Sequence, residues 1–553
     1  VTAVLDEEVA KIAWHADRCG LSSLPAAAPN RRARARVITR MGDSGRAADG
    51  YPARVLHVLR SRFLRLPLLA AALAVAAAPV QAAPIDQGPA GPDVPQFIGT
   101  PATANPITGV PPIPQHPYLA PNGNSGIHGD GWMSDTYTRP GPLGHSPQTN
   151  SLRLLSECAS IAFDSAGRIV ATCPGLNPGL YLIDPETMTV LGKHELEGLN
   201  AIDLIKPGAL TDFGGGAYFY LDNEDRAVIG TNTGHIQVFA QTPAADGFVL
   251  ERDYDLSGVL QPGEALNSAL PDSNGLIWFV GRTNGLIGTL NPETGAVQVT
   301  RLGAGSENQI ENSFAVGVEG DVYIATNRQL VRFDAGPEGE PQITWQATYA
   351  NSGQHKPGQV DDGTGTTPTI LPNGYVAITD NADPMNVVVY RTAPDAAERQ
   401  VCSVPVFEPG RSGTENSLIG AGRSLIVENN YGYANPASTT LGQTTTPGFA
   451  RVDIDDDGNG CHLVWTNTVE AGPTVVPKLS LATGLIYTYT KGTQISDPWY
   501  WTALDFRTGE MVWKQLSGTG FGFNNNYAGI ALGPDGTAYL GATGGLISLR
   551  DGS

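Results

Sequence analysis

The chain has 553 residues, with 34 Lys+Arg against 54 Asp+Glu and a formal net charge of −20. A field of that sign argues against DNA, RNA or an anionic membrane surface as partner. Length alone would allow several domains, so internal repeats are sought before any domain count is made.

In chain order, residues 1–82 read as an upstream leader and a signal peptide. Arg60, Arg62 and Arg65 form a basic start, "LPLLAAALAVAAA" from Leu66 is too short to span a bilayer, and "VQA" at Val80–Ala82 has the small-x-small form of a signal-peptidase site. The mature chain is expected to begin at Ala83, as a monomer in the periplasm or outside the cell. No Cys follows the apolar run, so no lipoprotein or other membrane anchor is expected. The first 82 residues hold 12 of the 34 Lys+Arg and 6 of the 54 Asp+Glu, which leaves 22 against 48, net −26. Such acidity serves solubility, and it also suits the binding of divalent cations.

Residues 83–150 form a Pro- and Gly-rich strap. His116, His128, Asp130, Asp135 and His145 lie in it at no recognised ligand spacing. Two readings stand: metal ligands for zinc, iron or copper, or an ordered strap crossing one face of the domain that follows.

From residue 151 onward one pattern recurs every 45 to 60 residues: an apolar run, a tight turn, a second apolar run. Examples are "ASIAFDSAGRIVAT" at 159, "NSFAVGVEGDVYIA" at 312, "NSLIGAGRSLIVEN" at 416 and "AGIALGPDGTAYLGA" at 528. The member at 215 fits less well. A second hairpin, such as "GTLNPETGAVQVTRL" at 288, follows most of them. Two hairpins per period make a four-stranded sheet that cannot bury both faces alone, so the sheets must stack around an axis. The expected fold is all-β: an eight-bladed β-propeller over 151–553. The chain stops one strand short in its last blade, and "SLRLLS" near Ser151 is expected to supply that strand and close the ring.

Four cysteines follow residue 82, an even number that suits an oxidising compartment. The turn "DSAG" lies midway between Cys158 and Cys173, which sets them opposite each other in a hairpin and predicts a disulfide. Cys402–Cys461 follows by elimination.

The phrases "PETG" and "ALDFRTGEMVWKQ", with a Trp at the repeat end at Trp345, Trp465 and Trp513, resemble the repeats of PQQ-like propellers, the group that includes quinoprotein dehydrogenases and outer-membrane assembly propellers. The resemblance implies the fold. Quinoprotein dehydrogenases carry a vicinal Cys-Cys against the cofactor; this sequence has none, and PQQ is not expected.

In a propeller the residues that open each inner strand ring one mouth of the axial channel. Glu311-Asn312-Ser313 and Glu415-Asn416-Ser417 are equivalent positions two blades apart, Asn267-Ser268 lies at the same level, and Asn525 or Asn526 is a fourth candidate. Glu311, Asn312, Glu415, Asn416 and Asn267 are candidate oxygen ligands for Ca²⁺ or another divalent ion; the alternative is that they cap backbone groups. The first arrangement is similar to the axial calcium sites of gluconolactonase- and paraoxonase-type propellers, and the resemblance implies a metal-dependent hydrolase of esters or lactones. In that reading His128 or His355 is the candidate general base. Against it stands a propeller that binds a small molecule or a protein at the axial mouth without chemistry. In "QHKPGQVDDGTGTTPTILPNGYVAITDNADP", His355, Asp361 and Asp362 precede an inner strand and Asp380 follows the second strand, and the two groups of Asp are expected at opposite mouths. "DIDDDGNG" at Asp453 lacks the later ligands of a calcium loop and reads as a hairpin turn. No G-x-S-x-G, H-E-x-x-H or P-loop motif is present.

Overall fold

The computed structural model describes residues 83–88, 91, 93–196 and 218–552. The expected signal peptide lies outside them. No described helix is long and apolar enough to cross a membrane.

Eight four-stranded antiparallel units follow one another at 160–194, 219–255, 266–301, 315–348, 369–405, 419–467, 478–519 and 531–550. The hairpin at 215 is a true blade, the second. It uses the same clasp as the first: Asp164 and Asp222 each accept two backbone N–H groups across the turn, and the arginine four residues on, Arg168 or Arg226, donates Nε to the same carboxylate at 2.7 Å. Gly167 closes the first of these turns at φ 79°, a conformation that costs glycine nothing.

The eighth unit supplies only three strands, and Gln148–Arg153 pairs antiparallel with Gly545–Arg550 as the fourth. That strand precedes blade one in the chain and completes blade eight in space, so the ring closes without an open edge. The second strand of each blade is buried on both faces, as in Ile169–Cys173 and Leu485–Lys491. Outer strands such as Phe248–Asp255 are largely exposed. Neighbouring blades are tied by side chains from these outer strands. Trp345 of blade four donates Nε1 to Thr392 O of blade five at 3.1 Å, and Trp465 of blade six to Phe506 O of blade seven at 3.0 Å. Arg332 and Arg451 reach the same two carbonyls.

Both expected disulfides form. The bridge Ser156–Gly175 sets the register that places Cys158 opposite Cys173; the ladder then slips by one, so that Ser160 pairs with Thr172. Cys402–Cys461 joins the outer strands of blades five and six. "DIDDDGNG" is a hairpin turn between Phe449–Ile454 and Cys461–Asn467, closed by Asp455 N to Gly460 O.

Strand order defines two faces. Inner strands begin on one, the entry face, which also carries the described loops from strand two to three and from one blade to the next. The other face carries the turns of the hairpins. The strap runs over the hairpin-side face, from Asn105 and Ile107 at the Leu481–Thr483 turn of blade seven to Pro117 and Leu119 at the Asp222–Asn223 turn of blade two, and from there it enters the channel. There it circles the wall: Gly131 O accepts from Val316 N of blade four, Trp132 O from Ile370 N of blade five, Ser134 O from Gly420 N of blade six and Asp135 O from Leu479 N of blade seven. Asn124 O and Ser125 O take Phe163 N and Leu221 N of blades one and two. Inner strands otherwise face the axis with unpaired N–H groups, and the strap satisfies them. Thr136–Tyr137 adds a parallel strand inside blade seven, and Phe97–Gly99 an antiparallel one outside it.

The plug is held by charge as well. Lys478 donates to Ile127 O at 2.6 Å and forms an ion pair with Asp135, whose carboxylate also meets His128 Nδ1 at 3.0 Å. All three side chains are buried. Burial lowers the Lys478 ammonium below its ordinary range, and Asp135 opposes the shift.

Candidate functional site at the axial mouth

On the entry face the residues that open the inner strands form a polar collar. Asn267 of blade three donates Nδ2 to Glu311 O at 2.6 Å, and Asn416 of blade six donates Nδ2 to Val475 O at 2.7 Å, so each caps the entrance of the next blade. Ser268 and Ser313 hydroxyls lie 2.7 Å apart. The backbone-capping reading therefore holds for the nitrogens of Asn267 and Asn416.

One contact runs between blades four and six instead, from Asn312 to Glu415. Asn312 accepts from Tyr218 Oη at 3.0 Å and turns Nδ2 toward Glu415 Oε1 at 3.5 Å. Glu415 Oε2 accepts from Val360 N at 3.0 Å, and Glu311 meets Arg282 Nη2 at 2.5 Å. Burial pushes the Glu415 carboxyl well above its usual range, and the Glu311 charge pushes it further. The same two glutamates raise the Tyr527 phenol, after burial, from the far side of the ring. Among the described residues no three His, Cys, Asp or Glu converge in the manner of a metal site.

Asp361, Asp362 and Asp380 are not at opposite mouths. The second strand of a hairpin returns to the face where the first began, and Asn381 Nδ2 accordingly donates to Asp362 O at 2.7 Å. His355 pairs with Asp362 at 3.3 Å and is exposed on this loop, which also supplies Val360 to Glu415. His128 sits in the plug, at a cavity of about 20 Å³ between plug and collar lined in part by Tyr218, Ser268 and Ser313. That is room for about one water molecule. Asp130, also in the plug, is pushed up to about 7 by burial, against hydrogen bonds from Ser134 and Trp132.

Sequence reading missed Glu157, which opens blade one. It accepts Asn526 N at 2.7 Å, and Asn526 in turn accepts from Tyr433 Oη at 2.7 Å. Its position just before an inner strand was the available signal; the adjacent Cys158 drew the reading elsewhere. Burial pushes Glu157 from 4.5 to about 8, and the hydrogen bond from Asn526 N only partly offsets it. The folded chain thus holds a proton that the unfolded chain releases near 4.5, so this contribution is fully present below that pH and is lost as pH rises through about 8. Thermal melts from pH 5 to 8 should show a decline in melting temperature that Glu157→Gln flattens, because Gln keeps the acceptor oxygen without the charge; equal slopes would contradict this account.

No family model matches the chain. It is 26% identical over 392 residues to an uncharacterized protein of Archaeoglobus fulgidus, a match spanning 65% of this chain and 75% of that one. Among solved structures, quinohemoprotein alcohol dehydrogenase from Comamonas testosteroni is similar with a TM-score of 0.51 at 10% identity, over 78% of this chain and 80% of that one. This likeness concerns the propeller fold alone. Virginiamycin B lyase from Staphylococcus aureus, at TM-score 0.39 and 11% identity over 73% and 98% of the two chains, matches too loosely to carry an argument.

Proposed function

We propose that this is an exported binding propeller whose entry-face mouth holds a ligand through a cationic group, either a divalent ion such as Ca²⁺ or an organic cation. One observation carries the reading: at the openings of blades four and six, Asn312, next to the Arg282-paired Glu311, reaches to 3.5 Å from Glu415 Oε1, and the Glu311 charge adds to the upward push on the Glu415 carboxyl. Two carboxylates so placed repel, and a bound cation removes the repulsion and favours both ionised forms. The plug closes the hairpin-side approach, so a ligand reaches the collar from the entry face. The two disulfides support an oxidising compartment.

Titration calorimetry of residues 83–553 with CaCl₂ and, separately, with arginine amide tests this. A saturable signal with one of them, lost in Glu311→Gln/Glu415→Gln, is expected; silence of the unmodified protein toward both would sink the reading. A hydrolase reading is favoured by one feature, the exposed His355–Asp362 pair on the loop that holds Glu415. It requires that ester or lactone turnover, if found, be lost in His355→Gln.

A further inference from the structure

Among the described residues the most exposed apolar side chains of the entry face gather on one side. Among the described residues the four most exposed large apolar side chains are Val469 (78%), Ile495 (78%), Leu441 (72%) and Leu176 (65%), and all four lie in entry-face loops. Phe521 (52%) and Leu155 (49%) lie in the same set of loops. These six belong to blades six, seven, eight and one, which are consecutive around the ring.

The loops that carry them are knitted together. Asp497, in the loop of Ile495, accepts Leu441 N and Gly442 N at 2.8 Å each, and its own carbonyl accepts Gly520 N, next to Phe521. Gly522 O accepts Gly544 N, Gly544 O accepts Leu155 N, and Leu155 O accepts Leu176 N. A continuous run of hydrogen bonds, through the Asp497 carboxylate at one end and backbone to backbone beyond it, therefore fixes five of the six in one crescent. Exposed apolar groups on a preorganised frame avoid much of the ordering cost of association, and an apolar surface of this kind marks a binding surface.

The crescent borders the collar that holds Glu311, Glu415 and Glu157. We infer that the entry face docks a protein partner that inserts a Lys or Arg side chain into the axial mouth and lays flanking apolar side chains on the Leu441–Ile495–Phe521 side of the rim. Charge complementarity selects this occupant: Glu157, Glu311 and Glu415 open blades one, four and six, one of them already paired with Arg282, a cationic side chain favours their ionised forms, and apolar residues next to it in sequence match the crescent on one side of the mouth. The inference rests on the cationic-ligand reading of the mouth and adds the partner's class.

The test is selection of random linear phage-displayed peptides on immobilised 83–553, with Leu441→Ser/Ile495→Ser/Phe521→Ser as one comparison and Glu311→Gln/Glu415→Gln as the other. The three apolar side chains are exposed, so their loss should leave the melting temperature unchanged, which is checked first. Enriched peptides should share a Lys or Arg flanked by apolar residues, and each variant should weaken the synthetic peptides about tenfold or more, or about 1.4 kcal/mol. Peptides indifferent to the triple variant, or no enrichment over it, would overturn the inference. So would a wild-type dimer in sedimentation that the triple variant abolishes, or binding to phosphatidylcholine vesicles that it abolishes, since either names a different occupant. Arginine amide titrated into the triple variant separates the two levels. An intact signal without peptide enrichment removes only the partner, whereas loss of mouth binding in the unmodified protein removes both.

Discussion

Lys478→Met is expected to destabilise the folded chain by about 3–5 kcal/mol, because it leaves the Asp135 carboxylate buried without its cation. Lys478 and Asp135 are both fully buried, and Lys478 also carries the Ile127 carbonyl of the plug. The remaining partner of the Asp135 carboxylate is His128 Nδ1 at 3.0 Å. A second change distinguishes lost charge balance from lost packing. Asp135 has φ 56°, a region asparagine tolerates, so Lys478→Met/Asp135→Asn removes the uncompensated charge without straining the backbone. Urea unfolding should show the double variant more stable than Lys478→Met alone. A single variant within about 0.5 kcal/mol of the parent, the range of an ordinary surface change, would show that the plug is not anchored at this pair.

The second large effect is expected from Cys402→Ser/Cys461→Ser. This bridge spans 59 residues and ties two outer strands that no backbone ladder joins. Constraint of the unfolded chain by a loop of that length is worth about 4 kcal/mol, against about 3 kcal/mol for the 15-residue separation of Cys158–Cys173. The outer pair should therefore cost about 1 kcal/mol more than Cys158→Ala/Cys173→Ala, read as the difference in unfolding free energy under non-reducing conditions. The reverse order would show that native-state contacts at the hairpin, and not loop closure, dominate.

These residues also mark where sequence reading succeeds. Hairpin spacing, turn residues and the missing last strand are local or counting signals, and they led to eight blades, to closure by Gln148–Arg153 and to both disulfides. The equivalence of Glu311 and Glu415 was legible for the same reason, since a repeat assigns each residue a height in the ring. What was not legible was direction. Whether Asn416 points along the wall to Val475, or Asn312 across toward Glu415, depends on side-chain rotation that no spacing encodes. The strap's inner course was not legible for another reason: its segment 124–137 has no periodic pattern because its backbone bonds go to six different blades, one or two at each. The expected separation of Asp361 from Asp380 failed on topology, since antiparallel strands return to the face they left.

That inner hoop also bears on how such a ring could change over generations. Rings of repeated sheets can gain or lose a unit by duplication or deletion of the coding repeat, with neighbours simply re-spacing. Here Gly131 through Asp135 step from one sheet to the next in phase with the angular spacing of this particular ring. One unit more or fewer would alter that spacing and the inner circumference together, and the carbonyls would no longer meet successive N–H groups. A short unpatterned segment outside the repeats is thus matched to a ring of this spacing.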